Sequence, residues 1–183
     1  MADTDLTISS VLLQQNQASE ALVLAQLAGD VFRAYDFPLG QARAHLLAAQ
    51  CFLKLGQLEQ ASTSIANLLQ NATTHNLPTL IHKGHHLQGI LAIHQGESDE
   101  AIAAWHDGIE ALELVCSRLM LEYRTEFTED KMQLYEDIVD LYVERRQFTE
   151  ALSFAERAKS RVLQDLLAYR LDLRIEAHSE GDQ

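Results

Sequence analysis

One six-residue phrase constrains this chain more than anything else in it, because it recurs at fixed intervals. Gly56-Gln57-Leu58-Glu59-Gln60-Ala61 is answered by Gly96-Glu97-Ser98-Asp99-Glu100-Ala101 and by Arg146-Gln147-Phe148-Thr149-Glu150-Ala151. An earlier copy reads Asn16-Gln17-Ala18-Ser19-Glu20-Ala21. The closing alanines stand 40, 40 and 50 residues apart. Glycine, or asparagine in its place, tolerates the left-handed conformation that ends a helix. An acid just before the alanine suits the positive end of the next helix. Each copy therefore marks one helix stopping and another starting.

Apolar residues flank every copy at three- and four-residue steps, the period of a buried helix face. Before Gly56 these are His45, Ala48, Ala49 and Phe52, and after it Ala61, Ile65 and Leu68. Gly89, Ala92 and Ile93 precede Gly96, with Ala101, Trp105, Gly108 and Leu112 beyond. Tyr135, Ile138, Val139 and Tyr142 precede Arg146, with Ala151, Ala155 and Ala158 beyond. This alternation of small and bulky positions resembles the tetratricopeptide repeat (TPR). The small residues mark where paired helices cross closely. The resemblance implies an all-α, right-handed superhelical solenoid of about four helix-turn-helix repeats, at about 3–38, 41–76, 79–122 and 128–172. These form one domain over 1–175, with 176–183 a polar tail. A TPR unit is about 34 residues long, so the wider spacing here requires longer helices or longer connections.

In chain order, residues 1–15 read as a short capping helix and 18–35 as its partner, with Ala21, Leu22, Leu24, Ala25, Leu27 and Ala28 facing inward. Asp36-Phe37-Pro38-Leu39-Gly40 reads as a break, the second pair as 41–55 and 58–71, and Thr79 as the N-cap of a helix over 80–95. The helix beginning near Ser98 is long, because the ten extra residues of the last interval fall within or after it.

Charge narrows the function classes. Against 27 acidic side chains stand 14 Lys and Arg, a formal net charge of −13. Nucleic acid and anionic membrane both require cationic surface, so neither is an expected partner. Cys51 and Cys116 lie in apolar helical runs and read as buried free thiols. The opening Met-Ala-Asp-Thr-Asp lacks the layout of a signal peptide, and no apolar run approaches the roughly 20 residues that span a bilayer. A cytoplasmic location is the expectation.

The last third carries a second resemblance. The runs Glu122-Tyr123-Arg124-Thr125-Glu126-Phe127-Thr128-Glu129-Asp130-Lys131, Leu134-Tyr135-Glu136-Asp137-Ile138-Val139, Glu150 to Arg161 and Leu163-Gln164-Asp165-Leu166-Leu167 look like the repeats that precede a CHAT domain. That is a caspase-like protease domain of many bacterial repeat proteins. The resemblance implies, as an alternative function, a regulatory fragment that packs against its own downstream domain. Phe154, Val162, Leu163, Leu166, Leu167 and Leu171 make the final helix apolar enough to expect a homodimer through it, or burial of that face against a further domain.

No catalytic group, cofactor site or metal site is expected. A nucleophile requires a base in reach and a group to orient it, and neither cysteine has such neighbours in sequence. His82 and His86 stand one helical turn apart with His94 two turns beyond, but a metal requires a third or fourth fixed ligand. The stronger expectation is a protein or peptide partner in the groove that the first helix of each TPR pair lines. Carried onto this sequence, that lining is Arg43, Leu46, Gln50, Leu53 and Lys54, then Lys83, His86, Ile90, Ile93 and His94, then Gln133, Glu136, Asp140, Val143 and Glu144. The set places a basic stretch and an acidic one on one surface. Gln50 and Ile90 stand where chaperone-binding TPR proteins keep a clamping asparagine, so that clamp is not implied.

Overall fold

The computed structural model describes residues 1–118 and 128–160, with side chains described for 1–113 and 132–160. Its elements are α1 (Ala2–Gln14), α2 (Ala18–Ala34), α3 (Pro38–Lys54), α4 (Leu58–Thr74), α5 (Pro78–Gln95), α6 (Ser98–Arg118) and α7 (Thr128–Glu144). An eighth helix, α8, occupies residues 148–160. Among the described residues there is no strand.

Every described turn closes the same way. Asn16, Asp36, Gly56, Asn76 and Gly96 fall every 20 residues, and each has a positive φ, between 49° and 81°. Arg146, with φ 58°, repeats the conformation between α7 and α8. At Gly56 the amide donates to the Leu53 carbonyl (3.1 Å), and the Gln57 amide reaches back to Phe52 (2.9 Å). These two bonds satisfy carbonyls that a helix end otherwise leaves open. The Gln57 carbonyl then accepts from the Ala61 amide (3.0 Å), so one residue ends α3 and caps α4. The same three bonds recur around Asn16, Gly96 and Arg146, with Ala21, Ala101 and Ala151 in the place of Ala61.

The 40-residue phrase is therefore two 20-residue modules, each a helix and a three-residue turn. Long helices, not long connections, account for the departure from the usual TPR length: α2, α3 and α4 each have 17 residues. The extra residues of the last interval begin in α6, which has 21.

Several expected boundaries move. Pro38 is the first residue of α3, not part of a break, and the turn lies at Tyr35–Phe37. Proline fits a first helical turn, where its missing N–H costs nothing and its φ is already helical. Thr79 is not an N-cap for the same reason: Pro78 opens α5 and Leu77 caps it through its backbone. α4 continues to Thr74. Ala21, Ala25 and Ala28 are buried as expected, but Leu27 is 55% exposed, and Leu22 and Leu24 are only half-buried.

The described residues form two compact units, Met1–Leu112 and one beginning at Glu113. In the first, each helix packs on the next, and α1 also touches α3, as α3 touches α5. Thus α1, α3 and α5 make one layer, with α2 and α4 behind it. Ala49, Leu53, Ala61, Ile65, Leu87 and Leu91 form one core cluster across three of these helices. In the second unit, Leu134, Tyr135, Ile138 and Leu141 bury one face of α7, and Tyr142 stacks on Phe154 of α8 at 5.6 Å.

Candidate functional site

The exposed face of the α1–α3–α5 layer holds the groove residues expected of the first unit. Both of α3's neighbours in the layer and both helices behind it bury most of its surface. What stays open is a stripe of Leu39, Arg43 and Lys54, with Leu46, Leu47 and Gln50 half-buried between them. On α5 the matching stripe is Lys83, His86 and Ile90, half-buried, then Ile93 and His94, exposed. Ile90 also rests against the core cluster beneath it. Leu53, expected in the lining, is buried in that cluster instead.

The 40-residue spacing sets these side chains in rows across the layer. Asp3, Arg43 and Lys83 occupy one row; Ser10, Gln50 and Ile90 the next; Gln14, Lys54 and His94 the last. The members from α1 are what sequence reasoning missed, although the 40-residue offset already identified them. They change the electrostatics. Arg43 contacts Asp3 at 3.4 Å, and Lys54 Nζ donates to the Leu13 carbonyl and to Asn16 Oδ1, both at 3.1 Å. Two of the three expected cations thus already hold α3 to α1 and its turn. Lys54 also rims a shallow depression of about 590 Å³ with Asn16–Glu20 and Leu55.

Behind His86 the layer is pinned from the other side. Trp105 of α6 is buried and donates its Nε1–H to the His86 carbonyl at 3.1 Å. Its indole lies against Gly89, where a Cβ would collide with the ring. His82, one turn before His86, is itself buried, so the two imidazoles do not share a solvent-facing site. His85 pairs with Gln88 at 3.2 Å. Among the described residues no three His, Cys, Asp or Glu converge as a metal site.

Two groups carry environments that shift their chemistry. Burial pushes the Cys51 thiol up to about 11, only partly opposed by Lys54, which leaves it a packing residue rather than a nucleophile. Burial, helped by the Arg33 charge, holds His45 below the ordinary imidazole value.

In the second unit Glu136, Asp140 and Glu144 line one exposed face of α7 at four-residue steps. On the opposite side Glu113 accepts from the Tyr135 hydroxyl (2.9 Å) and from Arg157 (3.1 Å), joining α6, α7 and α8. The leucine-rich run after Ser160, the expected dimer helix, lies outside the described residues, as does the resemblance run of 122–127. No described helix is long and apolar enough to cross a membrane.

No protein-family model and no curated protein matches the chain. Solved structures do. RapI in its apo form superposes with a TM-score of 0.71 at 17% identity, over 86% of this chain and 54% of that one. BtubC from P. vanneervenii gives 0.71 at 14% identity, over 90% of this chain and 64% of that one. Both are helical TPR-like repeat proteins. The fold is TPR-like. At these identities the likeness is one of fold, and the chain spans between half and two thirds of each neighbour.

Proposed function

We propose that this chain is a non-enzymatic interaction scaffold whose α1–α3–α5 face receives a segment of another protein, extended or helical. The observation that carries the reading is the open stripe itself. Leu46, Leu47, Gln50 and Ile90 leave apolar and amide surface half-covered along the middle of the layer, and polar groups flank it at both ends. A peptide laid there finds apolar contact in the centre and orientation at the edges. Glu136, Asp140 and Glu144 offer a separate acidic face on α7 that suits basic segments.

A photo-crosslinking amino acid placed at Gln50 or Ile90 tests this directly, with Thr63 on the exposed side of α4 as the comparison. The expectation is one partner captured from positions 50 and 90 and not from 63. Capture from 63 alone, or equal capture from all three, overturns it.

The regulatory alternative, a TPR region serving its own CHAT-type domain, rests on the resemblance of Glu122–Lys131, Leu134–Val139, Glu150–Arg161 and Leu163–Leu167. Of these, Leu134–Val139 belongs to α7 and 150–160 to α8, where Leu152 is exposed. A reading frame that continues past Gln183 into a His–Cys dyad favours it over a foreign partner.

A further inference from the structure

One junction of the first unit lacks the side chains that stand at its equivalents. Four residues before the left-handed residue of each recurring phrase come Leu12, Phe52 and Tyr142, but Ala92 before Gly96. Six residues after it come Leu22, Ile102 and Leu152, but Ser62 after Gly56. Three of the large residues are packed: Phe52 on the core cluster of α3, α4 and α5, Leu22 on that around Cys51, and Tyr142 on the Phe154 ring. Ala92 and Ser62 instead line a cleft of about 260 Å³ between α4, α5 and the start of α6.

The floor of this cleft is apolar, made by Ile65, Leu69, Leu91 and Ala92. Its rim is polar and exposed, with Ser62, Gln88 and Gln95 joined by Glu97 and Glu100. Among the described residues that line it there is no Lys, Arg or His. Pockets for cofactors and drug-sized ligands hold about 300–1,000 Å³, whereas a dry apolar cavity of about 150 Å³ takes a benzene ring. A volume between the two suits one side chain.

Acids at the start of α6 suit its positive end on their own account. Beside an apolar recess they do more, because they choose what can fill it. An anionic group is repelled, and a purely apolar one leaves both carboxylates unused. Lysine and arginine each join an apolar stem to a cation, but only the guanidinium has the planar fork that meets a carboxylate through two bonds at once.

We infer that this cleft is a binding site for a single arginine side chain of a partner protein. The stem lies on Leu69, Leu91 and Ala92, and the guanidinium reaches Glu97 and Glu100. The residues of the α1–α3–α5 stripe take no part in it, so the site stands or falls separately from the groove.

The test is a titration of the full chain with N-acetyl-L-argininamide, followed by amide chemical shifts at about pH 7.5, where histidine is mostly neutral. The expected result is saturable shifts at Ile65, Ala92 and Glu100, with a Kd on the order of 1 mM for so small a ligand. N-acetyl-L-lysinamide and N-acetyl-L-leucinamide should bind about threefold more weakly or worse. Glu97→Gln with Glu100→Gln, at exposed positions, should weaken the arginine probe about tenfold or more, since charge-assisted bonds are lost. Ala92→Phe, which restores the residue of position 52, should abolish binding by filling the cleft. Should that variant fold poorly by circular dichroism, Ser62→Leu fills the cleft from the exposed side of α4. No saturable shift at the cleft overturns the inference. So do equal shifts at Glu136, Asp140 and Glu144 of α7, which would mean attraction to acidic surface in general. Binding that survives both filling variants, or a lysine or leucine probe that binds as tightly as arginine, overturns it as well.

Discussion

A single hydrogen at position 89 decides whether α5 and α6 can meet. A methyl in its place would enter the Trp105 ring, which is buried and anchored by its bond to the His86 carbonyl. Gly89→Ala is therefore expected to destabilise by about 1–3 kcal/mol through overpacking, read as a lower urea midpoint. Trp105→Phe in the same chain should recover part of that loss, and a strictly additive double variant would show that the ring is not what the methyl meets. Gly56 is the converse case: nothing lies near its missing Cβ, but its φ is 69°. There Gly56→Ala should cost about 1–2 kcal/mol from backbone strain alone, and no second-site change of a side chain should relieve it. His45 supplies a pH signature. Its folded pKa lies below the unfolded 6.5, so the unfolded chain takes up the proton first as pH falls. Its contribution to stability is whole above about pH 6.5 and is lost as pH drops through that value toward the folded pKa. His45→Gln should flatten the stability profile below pH 6.5; an unchanged slope would assign the acid loss to other groups.

At the scale of the helix and its turn, the module repeats at 20 residues while the legible phrase repeats at 40. The reason is chemical. The left-handed residue is glycine or asparagine at 16, 56, 76 and 96 but aspartate at 36 and arginine at 146, and the residues after 36 and 76 lead into Pro38 and Pro78 instead of an acid and an alanine. Two ways of opening a helix hid one way of closing it. The site was legible to a similar depth. Residue spacing placed Arg43, Gln50 and Lys54 on one stripe with Lys83, Ile90 and His94 beyond, yet no spacing rule shows that Asp3 and the Asn16 turn already engage two of those cations. Arg146 carries a Cβ in a conformation, φ 58°, that favours glycine. Arg146→Gly should stabilise the α7–α8 turn by about 0.5–1 kcal/mol, the left-handed strain relieved less the added freedom of the unfolded chain. A lower thermal midpoint for the variant would mean that the arginine side chain holds α8 in some other way.

Over the whole chain, the repeat pattern reads as one domain over 1–175, and within it the described residues gather into two compact units that divide inside α6, at Leu112 and Glu113. Sequence could not show this division, because α6 runs through it as a regular amphipathic helix and the pattern resumes in α7 with the same turn chemistry. The difference has an energetic consequence. In stacked repeats stability propagates chiefly between neighbours, so a lesion in one unit should loosen that unit first. Gly40 provides the lesion, since a Cβ there would strike the Phe32 ring, which itself stacks on Phe37 at 5.5 Å. In native-state hydrogen exchange, Gly40→Ala should accelerate the amides of α2 and α3 by about the factor that its loss of 1–3 kcal/mol implies, roughly 5- to 150-fold. The amides of α7 and α8 should keep their wild-type rates, because both helices belong to the second unit. If α7 accelerates by the same factor as α3, the two units open together and the chain behaves as one cooperative body despite its division.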